Sequence, residues 1–250
     1  MVKAFYTRKF LNLFGIVAVI CLASASVLAG AKETRVVIEN DGWKLIGDLL
    51  IPKAKKAVPA VVLLNKANGN RTVYVNLARH LAENGIASLR VDLRGHGESI
   101  NKGKFVPFQE NSTDVLSNTD TDIFAVTEYL KSAKEIDPNQ IGVVGASYSG
   151  EEMAAAARKN GYAKAYVALS PGSFSEASIE ALDTSGASWL FIKSAEERAR
   201  TLKDFFSILR QKSKRAQTME VAGDKHATDI LDSNSELAEM IAVWFKYHLK

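Results

Sequence analysis

The sequence predicts an α/β fold: one domain with a mostly parallel, eight-stranded sheet flanked by helices and no large cap domain. Three observations carry this. Short apolar runs bounded by Gly, Pro, Asn and Asp alternate with helix-patterned segments along most of the chain, an order that builds a parallel sheet covered on both faces. Residues 141–150 read IGVVGASYSG, an apolar run that ends in a tight turn around a serine and leads into a helical pattern. Residues 32–250 provide enough chain for one well-buried domain, with no repeat and no long linker.

The leader comes first. Lys3, Arg8 and Lys9 precede an apolar run from Phe10 to Leu22, and Ala29-Gly30-Ala31 fits a small-residue cleavage site. The expectation is a secretory signal peptide over residues 1–31, cleaved after Ala31 or, as runner-up, after Ala25, giving a secreted or periplasmic chain. The run is short for a membrane span, so no stable span is expected after cleavage. Cys21 is the only cysteine and follows Ile20 where a lipidation site prefers a small residue, so neither a lipid anchor nor a disulfide is expected. The formal net charge is +4, and losing the three basic residues of the leader brings it to about +1. That balance argues against a nucleic-acid partner.

The elements follow in order. Arg35–Glu39 and Leu45–Ile51 read as strands around a turn at Asp41-Gly42. Ala60–Leu64, behind Pro59, is a buried-strand run. Val73–Glu83 reads as a helix stopped by Asn84-Gly85. Ile86–Val91 is a strand, Asp120–Ser132 an amphipathic helix, and Ile141–Val144 the strand before the serine turn. Glu151–Lys159 is a helix, Ala165–Leu169 and Trp189–Ile192 strands, and Glu196–Gln211 a helix. Met219–Val221 is a short strand and Asn234–His248 the last helix. Ser170–Ser188 holds only one short helical stretch, SIEAL, so the cleft is expected to be open.

In such sheets chemistry sits beyond the C-terminal ends of the strands. Ser147 stands between a strand and a helix with small residues on either side, the context of a nucleophile elbow. A sharp turn lifts its hydroxyl clear of the sheet, and the following helix aims N–H groups at developing negative charge. Of the four histidines, His80 and His248 lie within helices and His96 in a Gly-rich turn. His226 follows the last strand, where a catalytic base belongs. The acid is sought after WLFIK: Glu197 is the first choice, Glu196 the second and Asp224 a weaker third, the competing reading being two first-turn helix glutamates. The backbone N–H of Tyr148 is one expected oxyanion donor. The loop Asn65–Asn70 carries the other, at Ala67 with Lys66 as runner-up.

These residues carry a resemblance. The chain resembles the α/β-hydrolases, close to their dienelactone hydrolase and small serine esterase branch. The segments AVVLLNKANGN, IASLRVDLRGHGES, EIDPNQIGVVGASYSG, SWLFIKSAEE and EVAGDKHA occur in family order and span nearly the whole mature chain. The resemblance implies that Ser147 is the nucleophile, His226 the base and Glu197 the acid. It matches Asp92, Arg94 and Gly95–Ser99 to the family's structural D-x-R-G-x-G-x-S turn, which makes His96 scaffold.

Four positions depart from that pattern. Asn65-Lys66 replaces His-Gly after the third strand, with Lys66 either binding an anionic group or facing solvent. Ser149 replaces a glycine and adds bulk at the elbow. The acid is glutamate rather than aspartate, and Ser194 replaces a glycine before it. Phe105–Asn118 follows the D-x-R-G turn and either leans Phe105 and Phe108 over the site or packs them on the domain. The expected reaction is hydrolysis of a small-molecule carboxylic ester through an acyl-enzyme, with no metal or organic cofactor. The alternatives are a serine peptidase or amidase on the same triad, and a non-catalytic binding protein on an impaired hydrolase fold.

Overall fold

The computed structural model describes residues 30–250 other than Asn111, Ser173 and Ala199, so the leader expected over residues 1–31 lies outside the described residues up to position 29. The chain opens with a hairpin, β1 (Lys32–Asn40) and β2 (Trp43–Ile51). Its two turn residues, Asp41 at φ 49° and Gly42 at φ 76°, are both left-handed, the combination whose twist matches that of antiparallel strands. Asn40 pairs directly with Trp43 across it. The strands β3 (Val58–Leu64), β4 (Ala87–Val91), β5 (Ile136–Ala146), β6 (Ala165–Leu169), β7 (Ser188–Ser194) and β8 (Ala216–Val221) complete one eight-stranded sheet. Its order is β1-β2-β4-β3-β5-β6-β7-β8. Only the β1–β2 and β2–β4 pairings are antiparallel; every pairing from β4 to β8 is parallel. The mostly parallel sheet expected from the alternation is therefore present.

The helices are α1 (Val75–Glu83), α2 (Ser112–Leu116), α3 (Thr119–Ser132), α4 (Tyr148–Asn160), α5 (Glu176–Thr184), α6 (Arg200–Lys212), α7 (Asp229–Ser233) and α8 (Leu237–His248). Alternate residues of β3 serve opposite faces. Val61 and Leu63 pack with Leu77 and Leu81 of α1 and Ile241 and Phe245 of α8. Ala60, Val62 and Leu64 pack in the other layer, with Val126 and Leu130 of α3, Met153 of α4 and Leu209 of α6. Each fully buried side chain of this kind contributes roughly 1.5–3 kcal/mol. Among the described residues no helix is long and apolar enough to cross a membrane.

Several expected boundaries move. Pro59 lies inside β3, at a register shift against β5 between Val58 and Ala60, where its missing N–H breaks no ladder bond. Residues Arg71–Tyr74 form a 3-10 turn ahead of α1, with the Asn70 side chain accepting from the Thr72 N–H at 2.9 Å. β5 begins at Ile136 rather than Ile141. The helix expected at Glu196 is described from Arg200; Ala195 and Glu196 instead form a turn whose N–H groups donate to the Val221 and Gly223 carbonyls at 2.8 and 3.0 Å. The helices α2 and α7 are additions to the sequence reading.

Candidate active site

β5 sits near the middle of the sheet, with β3 on one side and β6 on the other. At its end the chain turns through Ser147, at φ 53° and ψ −123°, directly into α4. That conformation costs a non-glycine residue on the order of 1–3 kcal/mol and persists only where the surroundings enforce it. They do so here by close crossing of strand and helix. A Cβ on Gly145 would lie 2.8 Å from the Cα of Gly150, closer than such atoms approach. The Ser147 N–H also donates to the Leu169 carbonyl of β6 at 2.9 Å.

Ser149 lies beneath the elbow and not in the cleft. It is fully buried, and its hydroxyl accepts from the Ala146 N–H at 2.8 Å, with the Ala146 and Leu64 carbonyls at 3.0 and 3.3 Å as acceptors. The bulk expected from replacing glycine is a clip joining the ends of β3 and β5.

The hydroxyl of Ser147 is 3.0 Å from Nε2 of His226. Nδ1 of the same imidazole meets Oε1 of Glu197. A carboxylate only accepts, so Nδ1 carries the proton and Nε2 presents its lone pair to the serine. Glu197 is buried at 4% exposure, and the His226 side chain is 46% exposed, so the acid is shielded while the base faces the cleft. Oε2 of Glu197 accepts from the Ser170 hydroxyl at 2.8 Å, which leaves both carboxylate oxygens occupied. Glu196 is exposed and enters this neighbourhood only through its backbone. Asp224 is exposed on the histidine loop, 3.8 Å from the Lys225 ammonium.

Two of these partners escaped the sequence reading. Ser170 follows β6 at φ 42°, and Ala227 follows the histidine at φ 55°. With Ser147 and with Asn68 of the loop after β3, at φ 56°, four non-glycine residues at positive φ surround the site, a concentration of strain typical of functional centres. The signal for Ser170 was its place directly behind a parallel strand. Ser194, noted as replacing a glycine, donates its hydroxyl to the Lys225 carbonyl at 2.7 Å.

The N–H of Tyr148 heads α4, where no acceptor exists within the helix. Ala67, half-buried, lies on the loop after β3. That loop is set by Asn65, whose amide donates to the Lys66 carbonyl at 2.8 Å and accepts from the Leu93 N–H at 2.9 Å. The Gly69 N–H closes the turn onto the same Lys66 carbonyl at 3.0 Å. The Lys66 side chain neither faces solvent alone nor stands free for an anion: its ammonium lies 2.6 and 2.7 Å from the two oxygens of Asp229.

The D-x-R-G turn is a buttress. The buried Asp92 accepts from the Arg71 N–H and guanidinium, each at 2.6 Å, and from the Glu98 N–H at 3.0 Å. Arg94 grips Asp122 of α3 at 2.6 and 2.7 Å. His96 is buried, its Nδ1–H donating to the Arg94 carbonyl at 2.9 Å. Its ring stacks between Phe105 and Tyr148, with centroids 5.4 Å away on each side. Burial lowers the pKa of His96 and raises that of the Tyr148 phenol well above the ordinary range. Phe105 thus packs on the domain, whereas Phe108 is fully exposed at φ 62°.

Residues 41–245 match a family model described as X-Pro dipeptidyl-peptidase (S15 family). No curated protein matches the sequence. Among solved structures, the chain is similar to a 2,6-dihydroxy-pseudo-oxynicotine hydrolase at 14% identity and TM-score 0.69, covering 93% of this chain and 72% of that one. It is similar to Est1E from Butyrivibrio proteoclasticus, solved with ferulic acid, at 21% identity and TM-score 0.66, covering 84% and 98%. It is also similar to a dienelactone hydrolase from Anabaena variabilis at 17% identity and TM-score 0.66, covering 88% and 99%. At these identities the likeness is one of fold.

Proposed function

The chain is an α/β-hydrolase belonging to the X-Pro dipeptidyl-peptidase (S15) family, and we propose that it hydrolyses carboxylic esters through Ser147, His226 and Glu197. The observation that carries the proposal is one imidazole spanning two partners, a serine hydroxyl at 3.0 Å and a buried carboxylate. His226 accepts the Ser147 proton at Nε2 as the Oγ–carbon bond forms and the ester C=O becomes an oxyanion. Glu197 fixes the tautomer and stabilises the imidazolium. The N–H groups of Tyr148 and Ala67 hold the oxyanion, each such donor being worth on the order of 100- to 1,000-fold in rate. Collapse breaks the carbon–oxygen bond to the alcohol, which leaves with the proton from His226. Water, deprotonated by the same nitrogen, then releases the acid.

The substrate is a small or surface-exposed ester. Only Ser185, Gly186 and Ala187 separate α5 from β7, so the segment after β6 offers no large lid. The fold neighbours solved as Est1E and dienelactone hydrolase support ester chemistry. The basic residues and apolar run within residues 1–31 support a secreted or periplasmic location.

The family match favours a second reading, cleavage of peptides on the same triad. The experiment offers residues 32–250 both p-nitrophenyl butyrate and Ala-Pro-p-nitroanilide, with Ser147→Ala as control. Ester turnover that Ser147→Ala abolishes supports the first reading. Anilide turnover with an inert ester supports the second, and equal activity in both proteins refutes both.

A further inference from the structure

Resting on the hydrolase reading above, we propose that Lys66 and Asp229 are positioning residues whose ion pair latches the oxyanion loop to the histidine loop. The two residues lie 163 positions apart in sequence, yet the Lys66 ammonium engages both oxygens of the Asp229 carboxylate. The Lys66 side chain is 22% exposed and that of Asp229 50%, so the pair is partly shielded and loses less to solvent and salt than a surface pair does.

What makes the pair more than a surface contact is where each end is anchored. Lys66 directly precedes Ala67, the expected second oxyanion donor, and its carbonyl closes the turn that presents that N–H. The Asp229 N–H donates to the His226 carbonyl at 3.2 Å, closing a turn through the left-handed Ala227. One end is therefore tied to the base and the other to the electrophilic donor. The two loops arise from strands on opposite sides of β5 and meet over its end. Latching them fixes the gap in which the tetrahedral centre must form.

The test follows the rate of inactivation by a fluorophosphonate. Ser147 Oγ bonds to phosphorus, the P–F bond breaks, fluoride leaves and the hydroxyl proton passes to His226, so no substrate class is assumed. Lys66→Met and Asp229→Asn are each expected to lower the rate about tenfold, because the donor loop is released, and the double variant to lower it no further. The swap of Lys66→Asp with Asp229→Lys recovers the wild-type rate. Thermal melts confirm that each variant is folded.

Single variants that label at the wild-type rate, a double variant whose losses add, or a swap that recovers nothing overturns the latch. A wild-type protein that labels but turns over no ester refutes the ester reading and leaves the latch measurable. A wild-type protein that does not label refutes both.

Discussion

The Ser194 hydroxyl donates to the Lys225 carbonyl at 2.7 Å, joining the end of β7 to the residue before His226. With the Ala195 and Glu196 N–H groups bonded to Val221 and Gly223, it makes a three-point seam between the loop carrying Glu197 and the loop carrying His226. The acid and base are thus positioned as one unit. Ser194→Ala is expected to leave the Lys225 carbonyl short of a partner and to cost about 1–2 kcal/mol in urea unfolding. It should lower kcat roughly tenfold with KM little changed, since imidazole orientation matters most in the transition state. A change in KM alone would contradict this.

Ser147 holds a conformation that glycine adopts freely. Ser147→Gly and Ser147→Ala should both lose about a millionfold in kcat. They should differ in stability, the glycine variant being firmer by about 1 kcal/mol because the left-handed strain is relieved. Differential scanning calorimetry of the two variants checks this, and equal melting temperatures would show that the elbow stores no strain at this residue.

The two adjacent glutamates separate cleanly. Glu197→Gln should reduce kcat by about 100- to 10,000-fold, since the amide presents either a donor or a weaker acceptor to Nδ1. Glu196→Gln, at an exposed side chain, should stay within about twofold of wild type. Steady-state ester kinetics on the pair decide it.

His96 gives stability a pH dependence. Burial holds its pKa below the ordinary 6.5, so the folded chain keeps it neutral while the unfolded chain protonates it. The unfolded state then binds more protons, and stability rises with pH across that window. The contribution is complete above about 6.5 and is lost as pH falls from there through the folded-state pKa. Denaturant titrations between pH 7 and 5 should show this slope, and His96→Phe, which keeps the ring stack, should flatten it. An unchanged slope would assign the acid sensitivity to other groups.

The parts of this molecule legible in the sequence were those written locally. The hairpin turn at Asp41-Gly42, the strand–serine–helix passage at Ser147 and the stop at Asn84-Gly85 each depend on residues adjacent in the chain. What stayed hidden depends on distant partners. Glu196 and Glu197 carry the charge signature of a first helical turn, yet the segment is a turn tied by backbone bonds to Val221 and Gly223. Ser149 looks like added bulk until the Leu64 carbonyl, 85 positions away, is set beside it. Lys66 reads as a free cation because Asp229 lies far along the chain. β5 hides its first residues behind Pro138 and a polar stretch, where the pairing of Ile136 with Val58 at the start of β3 supplies what local pattern does not.

The sheet order has a temporal meaning. β8 is the edge strand, and His226 follows it, so the base joins the site only when the last strand docks on β7. Synthesis keeps the same order, delivering Ser147 and then Glu197 first. A chain still emerging from the ribosome therefore holds a candidate nucleophile and its acid with no imidazole between them. The hydroxyl of Ser147 stays an ordinary alcohol until the C-terminal strand and the loop behind it have been made and folded into place.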